Sequence, residues 1–159
     1  MLEIIPKNKP TKKVLIDDDD AEKLKAYKWW LNPKGYAYTT AIVDGKRNTL
    51  FMHRVINHTP KGLKTDHKNR NRLDNRRHNL RTATSRQNAC NAQKSVGVSG
   101  YIGVYQINKN WMASLSHEGK QLRFGCFANK RHAAMIRDIW AREIHGEFAN
   151  LNFPNALTN

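Results

Sequence analysis

Residues 91–100 read NAQKSVGVSG, a polar, glycine-containing stretch that no regular apolar pattern crosses. A break of this kind in a chain of 159 residues leaves two modules, each with room for only a thin core. The expected boundaries are 1–95 and 96–159. The apolar runs are short on both sides, so the elements that fill these modules must be short strands and one or two helices. The expected class is therefore α+β.

Before the break, VLI at 14–16 reads as a strand and DDDDAEKLKAY as a short helix, its acid run at 17–20 placed to cap the first turn. GYAYTTAIVDGKRNTLF alternates on both sides of Asp44-Gly45, a hairpin signature. After the break, YIGVYQI, NWMASLS and QLRFGCF read as three strands with turns at 108–110 and at Glu118-Gly119. The segment that follows carries Ala133, Ile136, Trp140 and Ile144 at helical spacing, with Asn129 as N-cap and Gly146 beyond its end.

The charge is concentrated. Between His53 and Lys94 stand eleven Lys or Arg against two acids, Asp66 and Asp74, in a chain of net charge +15. Such a surface attracts polyanions, and nucleic acid is the natural partner. No apolar run approaches the roughly 20 residues that a membrane span requires, and MLEIIPKNKPTKK lacks a signal peptide's apolar stretch, so a soluble, cytoplasmic protein is expected. Cys90 and Cys126 form no CxxC pair, which argues against a thiolate zinc site or a disulfide framework and leaves two small apolar residues.

Within the basic segment, TDHKNRNRLDNRRHNLR opens on Asp66-His67. Phosphodiester hydrolysis needs an activated water, a cation that absorbs charge, and donors that hold the phosphate. Asp66 offers a hard oxygen ligand, and His67 offers a base that titrates near neutral pH. Alone, the pair fits a solvated loop just as well. Joined to LDNRRHNLR and to TSRQN nine positions beyond Asn79, it is specific.

The pattern MHRVI, TDH, LDNRRHNLR, TSRQN resembles the HNH nuclease motif, a strand-strand-helix fold around one metal ion, and is most similar to phage and intron-encoded homing endonucleases. The resemblance implies His67 as general base, Asp66 and Asn88 as metal ligands, Asn79 orienting the histidine and Asn75 bracing the loop. His53 in MHR belongs to the pattern, with packing, phosphate binding and chemistry all open. Asn at the last position, in place of His, favours one Mg2+ or Mn2+ ion among oxygen ligands. Arg54, Arg70, Arg72, Arg76, Arg77, Arg81 and Arg86 become candidates to hold DNA phosphates, since guanidinium binds phosphate bidentately. His58, His78, His117, His132 and His145 are read as surface or packing residues.

Residues 100–153, notably GEFANLNFP, resemble the AP2 domain, in which a three-stranded sheet packed on one helix enters the DNA major groove. By matched strand position Tyr105, Lys109, Trp111, Ser114, Ser116, Gln121 and Arg123 would face DNA, with a core position equally open to Trp111. Ile102 and Arg123 stand where that family often has arginine and tryptophan, so its base preference does not transfer. The combined expectation is a divalent-metal-dependent endonuclease acting on double-stranded DNA, without a small-molecule cofactor or a membrane. One metal site per chain implies a nick by a monomer, and a dimer or a second event for a double-strand break. The alternatives are a noncatalytic DNA-binding regulator on the same scaffold and, more remotely, an RNA-directed nuclease.

Overall fold

A computed structural model describes residues 2–92 and 94–155. Met1, Gln93 within the expected linker, and residues 156–159 at the end of the expected second module lie outside the described residues. The chain divides into two compact units, residues 1–88 and 89–159. No helix among the described residues is long and apolar enough to cross a membrane.

In the first unit, β1 (Leu2–Ile4) pairs antiparallel with β2 (Val14–Ile16). A 3-10 turn at Asp18–Asp20 leads into α1 (Ala21–Lys25). The acid run does not cap this helix. Neither Asp17 nor Asp20 makes a side-chain cap hydrogen bond, and Asp20 has helical φ and ψ of −89° and −8° where a capping residue is extended. The carboxylates hold Arg77 instead. Its Nε and Nη2 donate to Asp20 at 2.8 and 2.6 Å, and its backbone N donates to Asp17 at 2.7 Å. An aspartate that is 1% exposed requires such a partner.

Next, β3 (Trp30–Leu31), β4 (Ala37–Val43) and β5 (Lys46–Phe51) form an antiparallel sheet in that order. The expected hairpin is present, and φ values of 52° at Asp44 and 72° at Gly45 are those of the tight turn that follows strand twist. The chain then enters α2 (Met52–Asn57), whose buried Met52, His53 and Ile56 form its inner face. The strands β6 (Lys64–His67) and β7 (Leu80–Ala83) pair antiparallel, and α3 (Ser85–Asn91) follows. The start of α3 is a capping box: Thr84 Oγ1 accepts from Gln87 N at 3.2 Å, and Gln87 Oε1 accepts from Thr84 N at 2.8 Å. The loop joining β6 to β7 is tied to β2, because Leu15 N donates to Leu73 O at 2.7 Å and Asn75 N to Leu15 O at 2.8 Å. Val14, Ile16, Leu24, Trp29, Met52, Ile56 and Leu80 fill the core.

In the second unit, β8 (Val104–Ile107), β9 (Asn110–His117) and β10 (Lys120–Phe127) form a three-stranded antiparallel sheet with β9 central, packed on α4 (Lys130–His145). Asn129 caps α4 as expected, its side chain accepting from Arg131 N at 2.8 Å and His132 N at 3.3 Å. The buried face of α4 is rotated from the expected stripe. Ala133, Ala134, Arg137, Asp138 and Ala141 are buried, whereas Ile136 and Ile144 are half-buried and Trp140 is 44% exposed, stacked on Phe124. The cause is a buried ion pair. Arg137 bonds Asp138 at 3.0 Å and the carbonyl of Asn150, and Asp138 accepts from Asn152 Nδ2 at 3.1 Å and Phe153 N at 2.8 Å. GEFANLNFP is thus a strap closed on a charged pair. Gly103 permits the approach, since a Cβ there would lie 2.4 Å from Ser114 O. The expected linker is partly built into this unit: Ser99 is buried with its hydroxyl donating to Val104 O at 2.7 Å, and Asn150 reaches Ala92 O at 2.8 Å.

Candidate active site

The strand β6 ends in three buried polar residues, Thr65, Asp66 and His67. Strand alternation sends the last two to opposite faces. Asp66 lies directly across from Arg81, which donates Nε at 2.8 Å and Nη2 at 2.7 Å to its Oδ2. His67 turns toward an aromatic group. Its ring centroid is 5.3 Å from His53 and 6.1 Å from Tyr36, and His53 in turn lies 5.0 Å from Tyr36 and 5.6 Å from Phe51. Burial lowers the pKa of His67, against the raising effects of Asn75, Asp66 and Asp74. Burial, then the nearby His67 and Arg54, lower that of His53 to about 3. Burial favours the neutral form of both rings, and His53 Nδ1 is buried without a hydrogen-bond partner.

The two asparagines exchange their expected tasks. Asn75 Oδ1 lies 3.2 Å from His67 Nε2, and Asn75 Nδ2 donates to Arg72 O at 3.4 Å. With the amide so directed, Nε2 is the ring donor and Nδ1 keeps its lone pair. Asn75 therefore orients the histidine. Asn79 braces the loop instead, accepting from Asn69 N at 2.9 Å and donating to Asp74 O at 2.7 Å. The loop brings Asn75 to the ring's Nε2 with its backbone held by β2, and no spacing rule in the sequence encodes that contact.

Asp74, missing from the expected set, is the hub of this loop. Its buried carboxylate accepts from Asn69 Nδ2 at 2.8 Å and from Arg76 Nε and Nη2 at 2.7 and 2.8 Å. Hydrogen bonding to Arg76 lowers its pKa and keeps it charged. The clue was there in the sequence, one acid alone among arginines.

Most of the expected phosphate-binding arginines hold the fold. Arg76, Arg77 and Arg81 pair with Asp74, Asp20 and Asp66. Arg54 donates to the carbonyls of Leu63, Thr59 and Pro60 at 2.7, 3.2 and 3.2 Å. Arg72 donates to Lys34 O at 2.6 Å and lies over the Tyr36 ring at 4.8 Å. Arg70, at a φ of 63°, and Arg86, in the first turn of α3, are exposed. Asn88 follows Gln87 of the capping box and is half-buried.

Residues 51–90 match a family model described as HNH endonuclease, a span that holds every candidate from His53 to Asn88. The chain is also 33% identical to a protein named Uncharacterized HNH endonuclease, from Acanthamoeba polyphaga mimivirus, over 79% of this chain and 67% of that one. The chain belongs to the HNH endonuclease family. No solved structure matches it. The HNH endonuclease motif thus occupies β6, β7, α3 and the helix α2 before them. Among the described residues no three His, Cys, Asp or Glu side chains form a metal cluster. If the expected ligands Asp66 and Asn88 held an ion, one carboxylate and one amide would suit a hard ion that keeps most of its water and takes further oxygens from substrate.

In the second unit the register sorts the expected reading face. Trp111 pairs with Gln106 and Phe127 and packs on the core with Val104 and Ala113, so it lies on the helix side of the sheet. Ser114 is buried, its hydroxyl donating to Gly103 O at 3.2 Å. Trp111 thus takes the core position that was open to it, whereas Ser114, paired with Arg123 on the open face, is corrected as a DNA contact because it is buried there. Tyr105, Ser116, Gln121 and Arg123 are exposed, Ser116 donating to Gln121 Oε1 at 2.8 Å, and Lys109 lies in the exposed turn between β8 and β9. Met112, paired with Tyr105 and Cys126, joins their face unforeseen.

Proposed function

We propose that this chain is a divalent-metal-dependent DNA endonuclease of the phage homing type, working in the host-cell cytoplasm. One observation carries the reading: a buried His67 is held by Asn75 and follows Asp66 at the end of a strand. His67 Nδ1 accepts the proton of the attacking water, and Asn75 keeps the ring in the tautomer that can do so. Asp66 and Asn88 hold one Mg2+ or Mn2+ ion. That ion, when bound, stabilises charge on the phosphate and its leaving oxygen. Arg81 orients Asp66, and Arg70 and Arg86 meet backbone phosphates.

The second unit serves as an AP2-like reader of double-stranded DNA. Its open sheet face carries Tyr105, Met112, Ser116, Gln121 and Arg123, and the three-stranded sheet on one helix supports the likeness. A monomer nicks, and two chains or two events make a double-strand break. Supercoiled plasmid should be nicked with magnesium or manganese and remain intact with chelator. His67→Ala should slow nicking by about 100- to 10,000-fold while DNA affinity stays within about twofold, because the imidazole acts on water and neutralises no phosphate. Equal nicking by that variant, or metal-independent nicking by the parent, refutes the assignment.

A further inference from the structure

The strand β3 covers β4 only at Ala37 and Tyr38, so beyond Thr39 the hairpin of β4 and β5 is a two-stranded ribbon. From Thr40 to Thr49 only Ala41 is even half-buried, and Ile42 is 78% exposed. An isoleucine so exposed near a rigid turn, with no other strand beside it, is costly unless something covers it. The tip is braced: Asn48 Nδ2 donates to Val43 O at 3.3 Å and Lys46 O at 3.0 Å, beneath the positive-φ pair Asp44-Gly45.

We infer that this hairpin enters the major groove of duplex DNA beside the cleaved phosphate, a reading that rests on the nuclease assignment above. Four residue pairs project, from Thr40↔Thr49 to Val43↔Lys46, which at about 3.4 Å per residue gives a ribbon of about 14 Å. The groove is about 12 Å wide and 8.5 Å deep and admits a two-stranded ribbon. Paired residues share a face, so Thr40, Thr49, Ile42 and Arg47 stand together on the side that also carries Tyr38 and Phe51. Their chemistry fits base edges: a guanidinium for guanine O6 and N7, an apolar branch for the thymine methyl, and two hydroxyls. Lys46 meets the adjacent phosphates, and Asp44 at the tip can accept from cytosine N4. The root of the ribbon is the site itself, because Phe51 packs on His53 and His53 on His67. A duplex seated on the ribbon is thereby indexed to the cutting residues.

The full-length chain and its Arg47→Ala, Lys46→Ala and Ile42→Ser variants are compared for magnesium-dependent plasmid nicking. Their binding is then measured on duplexes selected from a randomised DNA pool, at several salt concentrations and with guanine N7 methylated. These positions are exposed, so melting should match the parent. Arg47→Ala should bind the selected site about 5- to 150-fold less tightly and lose one block of N7 interference next to the nick. Lys46→Ala should flatten the slope of log affinity against log salt by about 0.9. If the parent binds and nicks while all three variants keep its affinity, slope and interference pattern, the hairpin inference is overturned and the nuclease reading stands. If the parent neither binds nor nicks DNA, both fall. A dimer of the parent that Ile42→Ser dissolves without changing DNA binding assigns the face to a second copy and likewise overturns the inference.

Discussion

Asp66 and Asp138 are both buried aspartates paired with arginine, one in each unit. Asp138 takes its donors from its own neighbour Arg137 and from the tail at Asn152 and Phe153, so its pair closes the fold. Asp66 sits at a strand end beside a buried histidine, and its partner Arg81 comes from the facing strand. The charge of Asp138 is answered from within the packing of its own unit; that of Asp66, on the reading proposed above, would serve chemistry.

Exchanging the two aspartates for alanine tests that distinction most severely. Asp66→Ala should lower nicking by at least about 100-fold, since even outer partners of metal ligands cost about 10- to 100-fold, with the melting of the second unit unchanged. Asp138→Ala should destabilise the second unit by about 3–5 kcal/mol, because it strands Arg137 without its counter-charge, while nicking of non-specific plasmid falls less than tenfold. Thermal melting read alongside plasmid nicking separates the pair. If Asp138→Ala abolishes nicking in protein that still melts like the parent, the contrast fails.

The same contrast sharpens within the loop. Both Asn75→Ala and Asn79→Ala should cost about 1–3 kcal/mol in stability by leaving buried partners unsatisfied, but only Asn75→Ala should also lower the nicking rate of the folded protein, by about tenfold. Reversed outcomes would restore Asn79 to the orienting role. A last effect concerns pH. His53 is neutral in the fold at a pKa of about 3 but titrates near 6.5 when unfolded. Stability is then fully present above pH 6.5 and falls, by up to about 1.4 kcal/mol per pH unit, as the pH drops toward 3. His53→Phe should flatten that dependence in urea titrations between pH 7 and pH 5, and a dependence left unchanged would place the charge coupling elsewhere.

Local signals were legible. Asp44-Gly45, the turns at Asn108 and Glu118-Gly119, the Asn129 cap and the Asp66-His67 strand end are each written within a few residues of chain. Contacts made at a distance were not. Arg77 finds Asp20 across 57 positions, and nothing near either residue announces the pairing. Trp111, open between core and DNA face in the sequence, packs on the core, and Trp140 was misplaced because the buried Arg137-Asp138 pair fixed the phase of α4. The asparagine roles depended on the path of the loop, which β2 sets.

That tie to β2 has a consequence in time. Leu15 donates to Leu73 and accepts from Asn75, so the loop that carries the histidine's partner closes only against a strand made some sixty residues earlier. The loop is therefore expected to mature only once β2 has met it. In the finished protein the amides of Leu15 and Asn75 belong to one opening unit, and their hydrogen exchange should rise and fall together.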